Sequence, residues 1–222
     1  IHVNQVSGLF FVLLRPRNIG RILVSVHNTN DQMAKATTSP IKRLAYQPLI
    51  FLESLVYRRS DGLLFHTEYE KKYALATYGL KRKPYAVVPV GAPRVSYTPE
   101  EHTRARYTVR QQLSIPKRAK IALYVGRLVE RKNIAGMLRA AGRITNCYPV
   151  IIGQGSERGH LEKIASANAR FLGYVSDPRD YFLAADVFVT ISKAEGGVAL
   201  SVLEAAAYGL PLGVSREADS GV

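Results

Sequence analysis

Arg127 and Lys132 stand within Gly126-Arg127-Leu128-Val129-Glu130-Arg131-Lys132-Asn133, directly after an apolar run, and Glu195 to Glu204 leads into a later, almost wholly apolar segment. An arginine and a lysine held at a strand end neutralise a diphosphate. Glu204 falls two turns into its predicted helix, among Val202, Leu203, Ala205 and Ala206, where a carboxylate requires a polar partner. A ribose diol supplies one, since its two hydroxyls donate to the two carboxylate oxygens. Glu195-Gly196-Gly197-Val198-Ala199-Leu200 spans a strand-to-helix turn whose amides are suited to a phosphate, with Glu195 placed to meet sugar hydroxyls. Gly153-Gln154-Gly155 follows another apolar run and has two readings, close approach of backbone to phosphate or a tight turn. Together these residues suit a small, sugar-bearing anion.

The elements that must position them follow from periodicity. From residue 121 short strand-like runs alternate with helix signals, the layout of a parallel sheet covered by helices. Strands are predicted at Ile121 to Val125, Val150 to Ile152, Phe171-Leu172, Val187 to Ile191 and Leu212 to Val214. Helices are predicted to start at Asn133, at Ser156, and at Asp177-Pro178 with Asp177 as N-cap and Pro178 in the first helical position. The last helix covers about Val198 to Tyr208 and ends at Gly209. Strand ends at Val125, Ile152 and Ile191 fall on one sheet edge, where open α/β sheets bind ligands.

The first half alternates in the same way. Ile1 to Val3 is followed by an apolar segment to Leu14, and Ile22 to Val26 ends at His27. Ser39-Pro40 starts a long helix kinked by Pro48, Gly62 to Phe65 is a strand, Thr67 to Glu70 reads as a capping box, and Tyr85 to Val90 is a further strand. The expected organisation is an α/β domain over 1–95, a connector over 96–120, and a second α/β domain over 121–222. The connector carries one short helix, at about Glu100 to Leu113, expected to pack on the second domain.

Composition bounds the function. A 222-residue chain that is 47% hydrophobic buries a sizeable core, and its single cysteine, Cys147, forms no internal disulfide, which fits a cytoplasmic protein. No run of 18 apolar residues suits a bilayer span, and no signal peptide is visible. The net charge of +14 is uneven: residues 1–120 hold 20 lysines and arginines against 7 acids, residues 121–222 hold 11 against 10. A basic half beside a neutral one suggests two surfaces, the first suited to anionic headgroups or nucleic acid. The start at Ile1 and the stop just after a strand-like run read as a fragment of a longer protein.

The second half resembles the nucleotide-binding domain of the group 1, family 4 glycosyltransferases, retaining enzymes of the GT-B fold with two Rossmann-like doubly wound parallel-sheet domains. The resemblance runs in register through Gly126-Arg127-Leu128-Val129, Lys132-Asn133, Gly153-Gln154-Gly155, Phe171-Leu172-Gly173-Tyr174-Val175, Ala184-Ala185-Asp186-Val187, Leu203-Glu204-Ala205 and Gly209-Leu210-Pro211. It implies that Arg127 and Lys132 bind the donor diphosphate, Glu204 the ribose hydroxyls, and the amides of Ala199, Leu200 and Ser201 the distal phosphate. The same resemblance puts the base near Tyr174 and Val175, and His27 and Glu195 at the transferred sugar as the catalytic pair. Gly126, Gly153, Gly155, Gly196 and Gly197 complete the expected substrate-binding set. One departure stands out: the family places seven residues between its two glutamates, and here eight lie between Glu195 and Glu204. Either Glu195 keeps its role through a one-residue bulge or Gly196 takes the position.

The implied activity is retaining transfer of a sugar from a UDP-sugar or GDP-sugar to a lipid-linked or glycan acceptor, with no metal and no cofactor. The basic N-terminal half would face an anionic membrane on its inner side. In this reading the first domain is an incomplete acceptor-side domain, the second is truncated at its C-terminus, and the chain alone transfers little sugar. Alternatives that keep the fold are a phosphorylase, a sugar-nucleotide epimerase or an inactive nucleotide-binding remnant. A nucleic-acid binder would use Tyr57, Tyr69, Tyr73 and Tyr78 as stacking platforms, but their helical spacing favours core packing and no nucleic acid is expected.

Overall fold

The computed structural model describes residues 1–4, 9, 14, 20–193 and 199–215. Two compact units divide the described residues, one within residues 1–90 and the other over 91–193 and 199–215. In the first unit, strands β1 (His2–Asn4), β2 (Leu23–Ser25), β3 (Gly62–Phe65) and β4 (Tyr85–Val87) form a four-stranded sheet in sequence order, every neighbouring pair parallel. β4 ends three residues before the expected Val90. The apolar segment toward Leu14 lies mostly outside the described residues.

Helix α1 (Asn30–Ala36) was not anticipated, being too short to show an apolar period. Its signature is local: the Thr29 hydroxyl accepts from the Gln32 amide while the Gln32 side chain accepts from the Thr29 amide, a reciprocal capping box. Helix α2 (Pro40–Arg59) starts as predicted, with Ser39 Oγ accepting from the Lys42 amide and proline in its first turn. Helix α3 (Glu68–Thr77) carries only half of the expected capping box. Thr67 Oγ1 accepts from the Glu70 amide, but the Glu70 carboxyl turns to the amide of His66 instead of Thr67.

The first core gathers Val24, Val26, Val56, Tyr57, Leu63, Phe65 and Ala74 around a buried acid. Glu53 is fully buried, yet it accepts from Tyr57 Oη (2.9 Å), the Asn30 amide (2.9 Å) and Tyr78 Oη. One carboxyl thus ties the start of α1, the middle of α2 and the end of α3. Burial still raises its pKa, outweighing the three donors.

The second unit opens with α4 (Pro99–Gln112), capped by a full box between Thr98 and Glu101. Then follow β5 (Lys120–Val125), α5 (Ile134–Ala141), β6 (Cys147–Ile152), α6 (Arg158–Ile164), β7 (Arg170–Gly173), α7 (Arg179–Ala184), β8 (Val187–Thr190), α8 (Leu200–Ala207) and β9 (Leu212–Val214). The sheet order is β7-β6-β5-β8-β9, all parallel, which is doubly wound with the direction of winding reversed between β5 and β8. Strand alternation splits the core in two. Ile121 and Leu123 pack with Phe182, Phe188 and Val202, whereas Ala122 and Tyr124 pack with Ile134, Met137 and Leu161. Pro149 is accommodated inside β6 because β7 pairs only from Val150 onward.

Two helix starts differ from expectation. α6 begins at Arg158 with no side-chain cap from Ser156: the Arg158 amide that Ser156 would cap donates to the Gly155 carbonyl at 3.2 Å, and the Glu157 amide to the Leu128 carbonyl at 3.0 Å. α7 begins one residue late: Asp177 Oδ1 accepts from the Arg179 amide at 3.0 Å, so Pro178 becomes the cap residue and Asp177 forms a turn before it.

Helix α4 packs along α7, and Asp186 at the start of β8 fixes that packing. Its Oδ1 accepts from Arg106 (3.1 Å), and its Oδ2 from Arg110 (3.1 Å) and the Ile121 amide (2.9 Å). Burial opposes ionisation here, but the Ile121 amide and Arg106 prevail and hold the pKa below its ordinary value of 3.8. The stabilisation is therefore present above that pH and fades as pH falls through the lowered value. Asp186→Ala, which strands the buried Arg110 guanidinium, is expected to cost about 3 kcal/mol at pH 7, with a smaller difference near pH 3, read by urea unfolding at both pH values.

Candidate functional site

The C-terminal edge of the second sheet is a rim of loops joined backbone to backbone. The Gly126 amide donates to the Ile152 carbonyl (3.0 Å), the Leu128 amide to Gln154 (2.8 Å), and the Gly153 amide to Gly173 (2.7 Å). The loops leaving β5, β6 and β7 therefore continue the sheet's hydrogen bonding beyond its strands. Gly153 has φ 137°, and a Cβ there would stand 1.9 Å from the Gly126 carbonyl oxygen. At Gly155 a Cβ would stand 2.1 Å from the Leu128 carbonyl oxygen. Of the two readings open for these glycines, the close approach that demands them is to the neighbouring loop, and the Gly153 amide is committed to Gly173.

Leu128, buried at 1%, pins the first loop from below, and Tyr124 Oη donates to the Arg127 carbonyl at 2.9 Å. This leaves the Arg127 side chain exposed above the edge. A single 3₁₀ turn over Glu130–Lys132 then leads into α5, with Lys132 half-buried. Asn133 is not the expected side-chain cap of α5. It adopts left-handed φ 51°, closing the 3₁₀ turn through its amide to Glu130, and its Nδ2 donates to the Ile191 carbonyl at 3.3 Å. Across the switch point the Lys193 amide donates to the Arg131 carbonyl at 2.7 Å. The loop carrying Lys132 is thereby fastened to the loop leaving β8.

Helix α8 starts after the extended residue Ala199, and Leu200 and Ser201 occupy its first turn, where amides lack intrahelical partners. Val202, Leu203 and Ala205 are buried, while Glu204 is half-buried. Burial raises the Glu204 pKa, and among the described residues no hydrogen bond or ion pair reaches its carboxylate. Tyr174, 75% exposed at the end of β7, presents an open ring beside half-buried Val175. Glu195, Gly196 and Gly197 lie outside the described residues.

In the first unit His27 follows β2, half-buried, and stacks on His66 with ring centroids 4.8 Å apart and 18° between planes. Burial first, then the neighbouring His66 and His2, lower its pKa, so the ring is neutral at pH 7. His66, set aside in the sequence for want of the support that His27 has, follows β3 as His27 follows β2, in strands that pair Ser25 with Leu64.

The family described as Glycosyl transferases group 1 matches residues 106–218, which contain the whole of this rim. The chain belongs to that family. The lipopolysaccharide core biosynthesis glycosyltransferase LpsE of Rhizobium meliloti (strain 1021) is 36% identical over 114 residues, covering 48% of this chain and 33% of LpsE. The sucrose-phosphate synthase of Thermosynechococcus elongatus superposes with a TM-score of 0.77 at 22% identity, over 97% of this chain and 55% of the synthase. Anabaena HepE in complex with UDP-glucose gives 0.70 at 15% identity, over 97% of this chain and 59% of HepE. At these identities the structures establish a shared fold, GT-B, for this group 1 chain, which spans a third of the length of LpsE and little over half of the two solved neighbours.

The rim's dependence on glycine has a direct test in this group 1 domain. Gly153→Ala is expected to destabilise the chain by roughly 2–3 kcal/mol, since the clash is with backbone that cannot rotate away. Gly159→Ala, in α6 with nothing within 4 Å of its new methyl, should leave stability unchanged or raise it by up to about 1 kcal/mol. Chemical denaturation of the two variants side by side gives both values.

Proposed function

We propose that the protein is a retaining glycosyltransferase that moves a sugar from a nucleoside-diphosphate donor, a UDP-sugar or GDP-sugar, to a lipid-linked or glycan acceptor without a metal ion. The observation that carries this reading is the β5/β8 switch point. On one side stands the loop of Arg127 and Lys132, tied to the loop leaving β8 by the Lys193 amide; after that strand comes α8, whose first turn has no side-chain cap from Ala199. Two cations and a helix N-terminus at a switch point suit a diphosphate, and they neutralise the leaving group as its charge develops. Glu204 takes the ribose hydroxyls, which would supply the hydrogen-bond donors its carboxylate lacks among the described residues. The exposed Tyr174 ring, with Val175, takes the base.

In the reaction so proposed, the acceptor hydroxyl oxygen attacks the anomeric carbon on the face from which the diphosphate departs. The bond from that carbon to the phosphate oxygen breaks, and the hydroxyl proton passes to the leaving diphosphate. His27, neutral and half-buried, is suited to a hydrogen bond with the transferred sugar, and Glu195 is the acid assigned to that sugar. HepE was crystallised with UDP-glucose and LpsE is named for lipopolysaccharide core biosynthesis, which supports the donor and acceptor classes. Calorimetric titration of UDP and GDP is expected to show binding of one of them, weakened at least tenfold by Lys132→Ala or Glu204→Ala and unchanged by EDTA. Undiminished binding in both variants would reject the site.

The basic first unit is assigned to an anionic membrane surface at the cytoplasmic side. On α2, Ile41 (81% exposed), Leu44 (73%), Pro48 and Phe51 (69%) succeed one another at three- and four-residue spacing on one face. Lys42, Arg43, Arg58 and Arg59 are exposed on the same helix, whose one acid, Glu53, is buried. Apolar side chains flanked by cations suit an interface with acidic lipid. Sedimentation with phosphatidylglycerol vesicles should exceed that with phosphatidylcholine, fall with added salt, and drop about tenfold for Phe51→Asp.

A further inference from the structure

We propose that His66 is a second sugar-hydroxyl ligand of the first unit, held beside His27 as a pre-positioned hydrogen-bond acceptor. This rests on the donor-transfer reading above and adds to it a residue that the family motifs do not supply. Its basis is geometric. β2 and β3 pair in parallel with Ser25 opposite Leu64, and the ladder continues through the Val26 amide to the Leu64 carbonyl at 2.8 Å. Just past each strand, at the C-terminal edge, the chain places an imidazole from either side, and the rings stack.

His66 is fixed twice before any ligand arrives. Its ring Nδ1 lies 3.0 Å from the Val88 carbonyl oxygen, which only accepts, so Nδ1 carries the hydrogen. In the neutral ring that leaves Nε2 with its lone pair, and a sugar hydroxyl is the complementary donor. The backbone is held as well, because the His66 amide donates to Glu70 Oε2 at 2.7 Å. Glu70 is 1% exposed, and its other oxygen, Oε1, has no hydrogen-bond partner among the described residues. Burial pushes its pKa up to about 7 against the pull of the His66 and Thr67 amides. A carboxyl retained under that penalty, directly beneath the strand end, holds His66 in place. Stacking on the His27 ring, with centroids 4.8 Å apart and 18° between planes, fixes the ring's orientation as well.

A purely structural His66, clipping β3 to Val88, is the competing account, and two substitutions separate them. His66→Asn retains a donor near the Nδ1 position and removes the Nε2 acceptor; His66→Gln extends an amide toward the Nε2 position. The full chain, labelled with ¹⁵N-histidine, is titrated with UDP, UDP-glucose, GDP-mannose and free hexoses, and Kd values are measured for both variants. The expected result is the Nδ1–H tautomer in the free protein and a His66 Nε2 shift with a hexose-bearing ligand but not with UDP. His66→Asn should lose about tenfold in affinity for the sugar-bearing ligand with unchanged melting temperature and UDP binding, and His66→Gln should recover part of that. Response to the nucleotide sugar alone places the residue at the donor, and response to free hexose alone at the acceptor. UDP binding with a silent His66 toward every hexose would overturn this inference and leave the transferase reading standing. A His66 response to hexose with no nucleotide binding would do the reverse. Loss of melting temperature in both variants, with sugar affinity unmoved, would assign His66 to structure alone.

Discussion

Backbone hydrogen bonding that does not stop at the strand ends holds the second unit's edge in shape. Past Val125, Ile152 and Gly173 the chain leaves regular β geometry, yet amides and carbonyls of the three departing loops still pair. Carbonyls approach so closely that Gly153 and Gly155 admit no side chain. Because these contacts are main chain to main chain, the rim keeps its shape whatever side chains it bears, and Arg127 is free to project outward. Lys132 gains its position from the same network, through the tie between Arg131 and Lys193.

Acids in the two units show how context decides a carboxyl's task. Asp186 is met by two guanidinium groups and an amide and is held ionised, so it acts as a fastening between α4 and the sheet. Glu53 receives three donors, none of them charged, and burial raises its pKa despite them. Glu204 has burial without a partner among the described residues. That contrast separates the acids that tie elements together from one that is buried with no such tie among the described residues.

Much of the second unit was legible because both of its signals are strong. Ile121 to Val125, Val187 onward and Leu212 to Val214 are apolar runs bounded by glycine or polar residues, and the helix ending at Gly209 carries its own stop signal. What stayed hidden is chemistry with several local outlets. Asn133, Ser156 and Asp177 are all residue types that cap helices, but Asn133 reaches Ile191, Asp177 closes a turn one residue early, and the Arg158 amide that Ser156 would cap is taken by the Gly155 carbonyl. Each outcome depends on a neighbour far away in sequence or on a half-turn of backbone, and periodicity carries neither. Glu53 reads as a surface charge on a helix until Tyr57, Tyr78 and Asn30 are seen around it. Among the candidate residues, the cations and Glu204 stand out in the sequence by type and setting, whereas the pairing of His66 with His27 emerges only when two parallel strands are aligned.

The shared ladder at the rim also constrains how such a domain diversifies. The segments after β5 and β6 are bonded to one another at Gly126–Ile152, Leu128–Gln154 and Leu128–Glu157, so neither can gain or lose a residue without the other losing register. Two loops of coupled length, tied in turn to the end of β7 through Gly153–Gly173 and to the loop leaving β8 through Arg131–Lys193, thus form a single frame.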